Sequence, residues 1–370
     1  MDFSFNDDQQ ALIGLADQIL TEKATHESLR AIERAGTIRF DAELWRALGE
    51  AGLIGVAVPE EFGGSGMGFL EVAAIVEKIG KTVAPVPYLE TMVFGVLPIA
   101  AHGTAEQKQA LLPKLATGEL IATAALLEEL REPTEPGLVA RADGSDFVLD
   151  GIKICVRAGQ IADKLLVPAK TAGGVTVFLV DRAAEGIAVQ ELETTTRQPE
   201  ADLTFSGVRV AASDVLGTVD GGVAIVEELV LLGNAALCAY AVGICEEALA
   251  MTAEYTKTRK QFDQPIAMFQ AVGHRVADAY IDTEAVRLTA RQAAWRIGAG
   301  LPSEEAVAIA KYYASAGGDR IVHAAQHLHG GVGVDRDYPL HRFFLAARHL
   351  QMTFGGETRQ LQNLGRLLAK

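Results

Sequence analysis

The chain has 370 residues, 49% of them hydrophobic, enough to bury a large core across two or three domains. A formal net charge of −15 makes the overall surface a poor partner for nucleic acid or an anionic membrane. It does not exclude an anionic ligand held by a local basic site. The opening MDFSFNDDQQ is acidic and polar, unlike a signal or transit peptide, and no run of 18 apolar residues stands clear of charge or glycine. Cys155, Cys238 and Cys245 form no CxxC pair, so buried reduced thiols in a reducing, cytoplasmic setting are expected.

In chain order, residues 5–55 read as amphipathic helices, for example ALIGLADQIL and DAELWRALGEAGL. VPEEFGGSGMG follows as a glycine-rich loop. Its GGSGMG precedes no lysine and follows no clear strand, so it is a weak phosphate loop; its glycines are expected to let the loop pass close to the substrate domain. FLEVAAIVEKIGKTV reads as a helix, and TAEQKQALLPKLATGE as another with Thr104 as its cap.

The texture changes near residue 120. GSDFVLDGIKICV, ADKLLVPAK, GGVTVFLVD and GIAVQELE are short β-branched runs broken by Gly, Asp and Pro. From Val223 the pattern is helical again, led by a long helix with few charges in its first half, as in the centre of a bundle. The expectation is an α+β multidomain chain: an N-terminal helical domain (1–118), a middle β-barrel or sandwich domain (119–220) and a C-terminal four-helix bundle (221–370). Asp319, His323 and His327 form an i, i+4, i+8 stripe, with His329 following; imidazole and carboxylate could converge there on a metal, but a metal site is not favoured.

Four segments in this order resemble the acyl-CoA dehydrogenase family: VPEEFGGSGMGFLEVAAIVEKIG, GTAEQKQALLPKLATGE, YTKTRKQFDQPIAMFQAV and HGGVGVDRDYPLHRFF. The resemblance spans nearly the whole chain. It implies FAD-dependent α,β-desaturation of an acyl-CoA thioester, in which a carboxylate takes the α-proton and the flavin takes hydride. Within the family, the chain resembles the base-lacking subunit of actinobacterial enzymes, built from two related subunits, that act on steroid side-chain thioesters.

The resemblance places the base 18 residues after Arg336, where this chain has Phe354. A second family location, 29 residues before Phe262, holds Gly233, with Asn234 beside it. Glu357 is the nearest alternative base; a solvated loop carboxylate is the plain reading. Glu227 and Glu228 do not share the helix face of Gly233 and read as surface or helix-start charges. In the β domain, TEPG (Thr134–Gly137) lies late for the family's flavin loop. Cys155 and Arg157 stand where the family has a tryptophan and a hydroxyl residue.

By resemblance, the retained part is the clamp for the ADP half of a neighbouring subunit's FAD. Arg259 would pair with the pyrophosphate, with Gln261 as polar neighbour, Phe262 as packing aromatic and Phe269 near the adenine. His327, where a glutamine is usual, and Gly330 and Gly331 complete it. The implied partners are a related subunit with the catalytic glutamate, an acyl-CoA substrate and an electron-transfer flavoprotein. Two rivals remain: a self-sufficient enzyme using Glu357, and a flavin-free scaffold.

Overall fold

The structure, a computed structural model, describes residues 5–36 and 38–369. Capping residues fix several helix starts. Helix α1 (Asp7–Lys23) begins at an Asn6–Gln9 capping box, and α3 (Ala42–Glu50) at Asp41, which accepts from the Glu43 and Leu44 amides. Between them lies α2 (His26–Arg34), and after them α4 (Phe69–Thr82). A short α5 (Tyr88–Thr91) runs through a π turn at Met92–Val96 into α6 (Leu97–His102). Helix α7 (Ala105–Thr117) opens on the expected Thr104 cap, reciprocated by Gln107, and closes on left-handed Gly118.

Eight strands follow: β1 (Ala122–Ala124), β2 (Val139–Asp143), β3 (Asp146–Val156), β4 (Lys164–Lys170), β5 (Val175–Asp181), β6 (Ile187–Glu191), β7 (Ala201–Val210) and β8 (Val215–Leu216). They form one sheet in the order β6-β7-β3-β2-β4-β5-β8, with β1 parallel to β4. The apolar runs LLVPA and VTVFLV make β4 and β5 buried on both faces. The β3–β7 ladder is interrupted by register shifts between Leu149 and Gly151 and between Lys153 and Val156.

The rest is helical: α8 (Val223–Thr258), a small hairpin of β9 (Lys260–Gln261) and β10 (Gln264–Pro265), α9 (Gln270–Gly298), α10 (Glu304–His329), α11 (Leu340–Met352) and α12 (Glu357–Leu368). The order helical, β, helical is the one expected from the changes of texture. Helix α8 is long and apolar enough to cross a membrane by composition, but 78% of its apolar window is buried within the protein.

The chain divides into two compact units. One comprises Arg30–Gly68 and Pro85–Gly233. In it Trp45 donates to the Gly118 carbonyl at 2.9 Å, Tyr88 to the Leu53 carbonyl at 3.0 Å, and Gln107 to the Ser213 and Val215 carbonyls. Gly64 lies here too: a Cβ would fall 2.1 Å from the Val58 carbonyl oxygen, so tight packing inside its own loop accounts for this glycine.

The other unit comprises Met1–Leu29, Phe69–Ala84 and Asn234–Lys370. Helices α4 and α8 meet there backbone to backbone. A Cβ on Gly80 would lie 2.1 Å from the Tyr240 carbonyl oxygen, and one on Gly243 2.0 Å from that of Glu77. Ile244, Ala248, Val322, Ala325, Leu340 and Phe343 form a core cluster joining α8, α10 and α11.

Candidate functional site

Arg259 follows the last residue of α8, its amide donating to the Tyr255 carbonyl at 2.9 Å and its carbonyl accepting from the Ile266 amide at 2.8 Å. The backbone is thus fixed while the side chain is exposed, and the guanidinium makes no hydrogen bond or ion pair with any described residue. The hairpin turns over two residues, Phe262 (φ +53°) and Asp263 (φ +65°), between paired Gln261 and Gln264. Two left-handed central residues define a type I′ turn, which ordinarily takes Asn-Gly or Asp-Gly. A phenylalanine there is strained, and this one is 87% exposed. Phe269 meets Phe262 edge to face with centroids 6.2 Å apart, and the exposed Gln261 amide bonds only the adjacent Lys260 carbonyl.

At the end of α10, His327, Gly330 and Gly331 are all exposed. Gly330 has φ 62°, ψ −136°, a conformation closed to residues with a Cβ. Gly331 differs: its φ is not positive, and a Cβ there would meet nothing within 4 Å.

Between these groups lies His329, the last residue of α10, whose place no sequence pattern signals. It is 2% exposed, stacked on Tyr255 with centroids 4.3 Å apart, and burial holds its pKa below the ordinary range. Tyr255 lies one turn before Arg259, so the structure brings Arg259 and its hairpin together with the Gly330–Gly331 turn.

The base positions come out as follows. Phe354 sits between α11 and α12 with φ +55°, followed by Gly355 at φ +89°. Beneath this turn, fully buried Lys311 donates to the Leu350 carbonyl at 2.9 Å and contacts the Gly355 carbonyl at 3.4 Å. Gly233 and Asn234 are buried in α8. Glu357 is the first residue of α12, half-buried, and accepts from Gln351 Nε2 at 3.1 Å; an acid in a first turn also complements the helix dipole. Glu228 lies near the start of α8, and His102 Nε2 is 2.6 Å from its carboxylate.

The β unit departs from expectation at Cys155. Cys155 is exposed, not buried: the register shift between Lys153 and Val156 breaks the strand's alternation and leaves Cys155 at φ +48°. Cys238 and Cys245 are buried as expected. Arg157 turns onto two buried carboxylates, with Nε 2.8 Å from Glu90 and Nη1 4.0 Å from Glu200. The space beside them, walled also by Arg39 and Pro87, is about 10 Å³, room for roughly one water. The TEPG segment closes back on the sheet, where Glu128 accepts the Gly137 and Leu138 amides and pairs at 2.6 Å with buried Lys153.

The Asp319 stripe holds no metal-ligand cluster among the described residues. Asp319 pairs with Arg348, and His323 Nδ1 lies 2.9 Å from the Asp319 carbonyl.

The fold defines a class of helical–β–helical proteins, and comparison with known proteins gives the family. The acyl-CoA dehydrogenase N-terminal domain matches residues 6–119 and the C-terminal domain residues 220–369. The chain is 40% identical over its whole length to acyl-CoA dehydrogenase FadE27 of Mycobacterium tuberculosis, covering 99% of that protein. Among solved structures, it matches a chain of the ChsE4–ChsE5 complex from Mycobacterium tuberculosis with a TM-score of 0.94 and 41% identity, covering 100% of this chain and 99% of that one. It matches a chain of a Tcur3481–Tcur3483 steroid ACAD variant with a TM-score of 0.91 and 41% identity, covering 98% of each. The chain belongs to the acyl-CoA dehydrogenase family, FAD-dependent oxidoreductases acting on the CH–CH bond of acyl-CoA thioesters.

Proposed function

We propose that this chain is the base-lacking subunit of a hetero-oligomeric, cytoplasmic acyl-CoA dehydrogenase. It lends an ADP-half clamp to FAD cradled by a related subunit that carries the catalytic glutamate. Arg259 is the pyrophosphate ligand, its forked guanidinium suited to paired phosphate oxygens. Phe262 and Phe269 supply aromatic faces, Gln261 and His327 polar contacts, and Gly330–Gly331 a turn that a phosphate or ribose approaches closely. FAD, when bound, supplies the hydride-accepting chemistry. The observation that carries the reading is the contrast within the chain. An exposed, unengaged arginine stands beside a strained exposed aromatic, while Arg157, at the flavin-contact position, is spent on Glu90 and Glu200.

A bulky acyl-CoA, such as a steroid side-chain thioester, is the proposed substrate, and an electron-transfer flavoprotein the proposed acceptor. Support comes from the likeness to one chain of a two-subunit complex and to a steroid ACAD. Purification tests the reading. The chain alone is expected to be colourless and inactive, and to give a yellow, active complex when co-expressed with a related chain that retains the glutamate. A yellow chain that oxidises acyl-CoA alone contradicts it and favours Glu357; a colourless, inactive complex favours the scaffold.

A further inference from the structure

We infer that His329 is a positioning residue that locks the Gly330–Gly331 turn to the end of α8, so that both halves of the clamp share one geometry. The inference rests on the clamp reading above. Four contacts carry it, three on the buried His329 ring, in a residue 2% exposed, and one on its backbone carbonyl. The His329 ring stacks on Tyr255, at 4.3 Å between centroids and 24° between planes. Its Nδ1 lies 2.8 Å from the Ala325 carbonyl, an oxygen that only accepts, so Nδ1 carries the proton. Nε2 is then left with a lone pair, which takes the Tyr338 hydroxyl at 3.3 Å. The Tyr255 hydroxyl in turn donates to the His329 carbonyl at 3.4 Å.

Tyr255 is therefore bonded in two directions. Its carbonyl holds the Arg259 amide, and its ring and hydroxyl hold the residue before Gly330. Tyr338, packed on the core cluster of α8, α10 and α11, anchors the third side. A neutral imidazole is well suited to this place, because it stacks, donates in one direction and accepts in another. A phenylalanine keeps only the stack.

The test uses His329→Ala, His329→Phe and Tyr255→Phe. Amide exchange in the free chain is read on peptides covering residues 330–334, and FAD retention in the complex with the base-bearing subunit. His329→Ala should speed exchange at 330–334 about tenfold, leave the interiors of α9 and α12 unchanged, and weaken FAD retention about tenfold, the value of one or two lost hydrogen bonds. His329→Phe should fall between Ala and wild type. Exchange at 330–334 within twofold of wild type overturns the inference, as does faster exchange with normal FAD retention if Arg259→Ala does weaken retention. If retention survives Arg259→Ala as well, the clamp reading fails and the local lock stands. Should neither His329 variant fold, Tyr255→Phe decides: it should speed exchange at 330–334 several-fold, and no change overturns the inference.

Discussion

Raising the pH should stabilise this protein through one side chain. Lys311 is fully buried, and burial pushes its pKa down to about 8 from an ordinary 10.5, against the pull of Cys238 on α8 and Glu357 on α12. Below pH 8 the folded and unfolded chains both carry the proton, and charge burial costs ~3 kcal/mol. Between about pH 8 and 10.5 only the unfolded chain is protonated, so stability rises with pH. From pH 7 to pH 10 the gain is ~2–3 kcal/mol. The thiols act the other way. Cys238 and Cys245 are pushed up to about 12 from 9.0, so above pH 9 the unfolded chain releases their protons first and stability falls. Lys311→Met removes the charge and keeps the stem, which separates the two effects. In urea unfolding at pH 7 and pH 10, wild type should gain ~2–3 kcal/mol relative to the variant. Parallel pH dependences in the two proteins would refute the reasoning.

Arg259→Ala should leave the melting temperature of the free chain unchanged, since the side chain is exposed and unengaged, yet raise FAD loss from the complex by about tenfold or more, as expected for a charged bidentate contact. Glu128→Ala should destabilise by ~3–5 kcal/mol, because it strands buried Lys153 and two backbone amides; a urea midpoint close to wild type would count against it. Gly243→Ala puts a methyl 2.0 Å from the Glu77 carbonyl oxygen and should cost about 3 kcal/mol by forcing α4 and α8 apart. Phe354→Glu should restore no acyl-CoA oxidation to the chain alone, since Arg157 remains committed to Glu90 and Glu200; a substrate-dependent dye-reduction assay would show otherwise.

What could be read from the sequence was what is local or periodic. The long apolar helix, the β-branched runs and the Thr104 cap each declare themselves within a few residues, and the structure has them. The residues proposed as the clamp, Arg259 to Phe269 and His327 to Gly331, could be singled out because they lie in contiguous motifs. His329 was not: in the sequence it is one histidine of several, and only the meeting of α8 with α10 stacks it on Tyr255. Arg157 stands out against the family pattern, but its partner Glu90 is 67 positions away, a pairing no local pattern reveals. The exposure of Cys155 was not legible because cysteine count and spacing say nothing of a register shift, and the one before Val156 turns this residue outward.

The central claim, that this chain serves a partner's flavin and holds none of its own, comes down to a stoichiometry. Flavin absorbance of the purified complex, set against the amount of each subunit, should give one FAD per pair of unlike subunits. Two per pair, or flavin retained by this chain alone, would contradict the account.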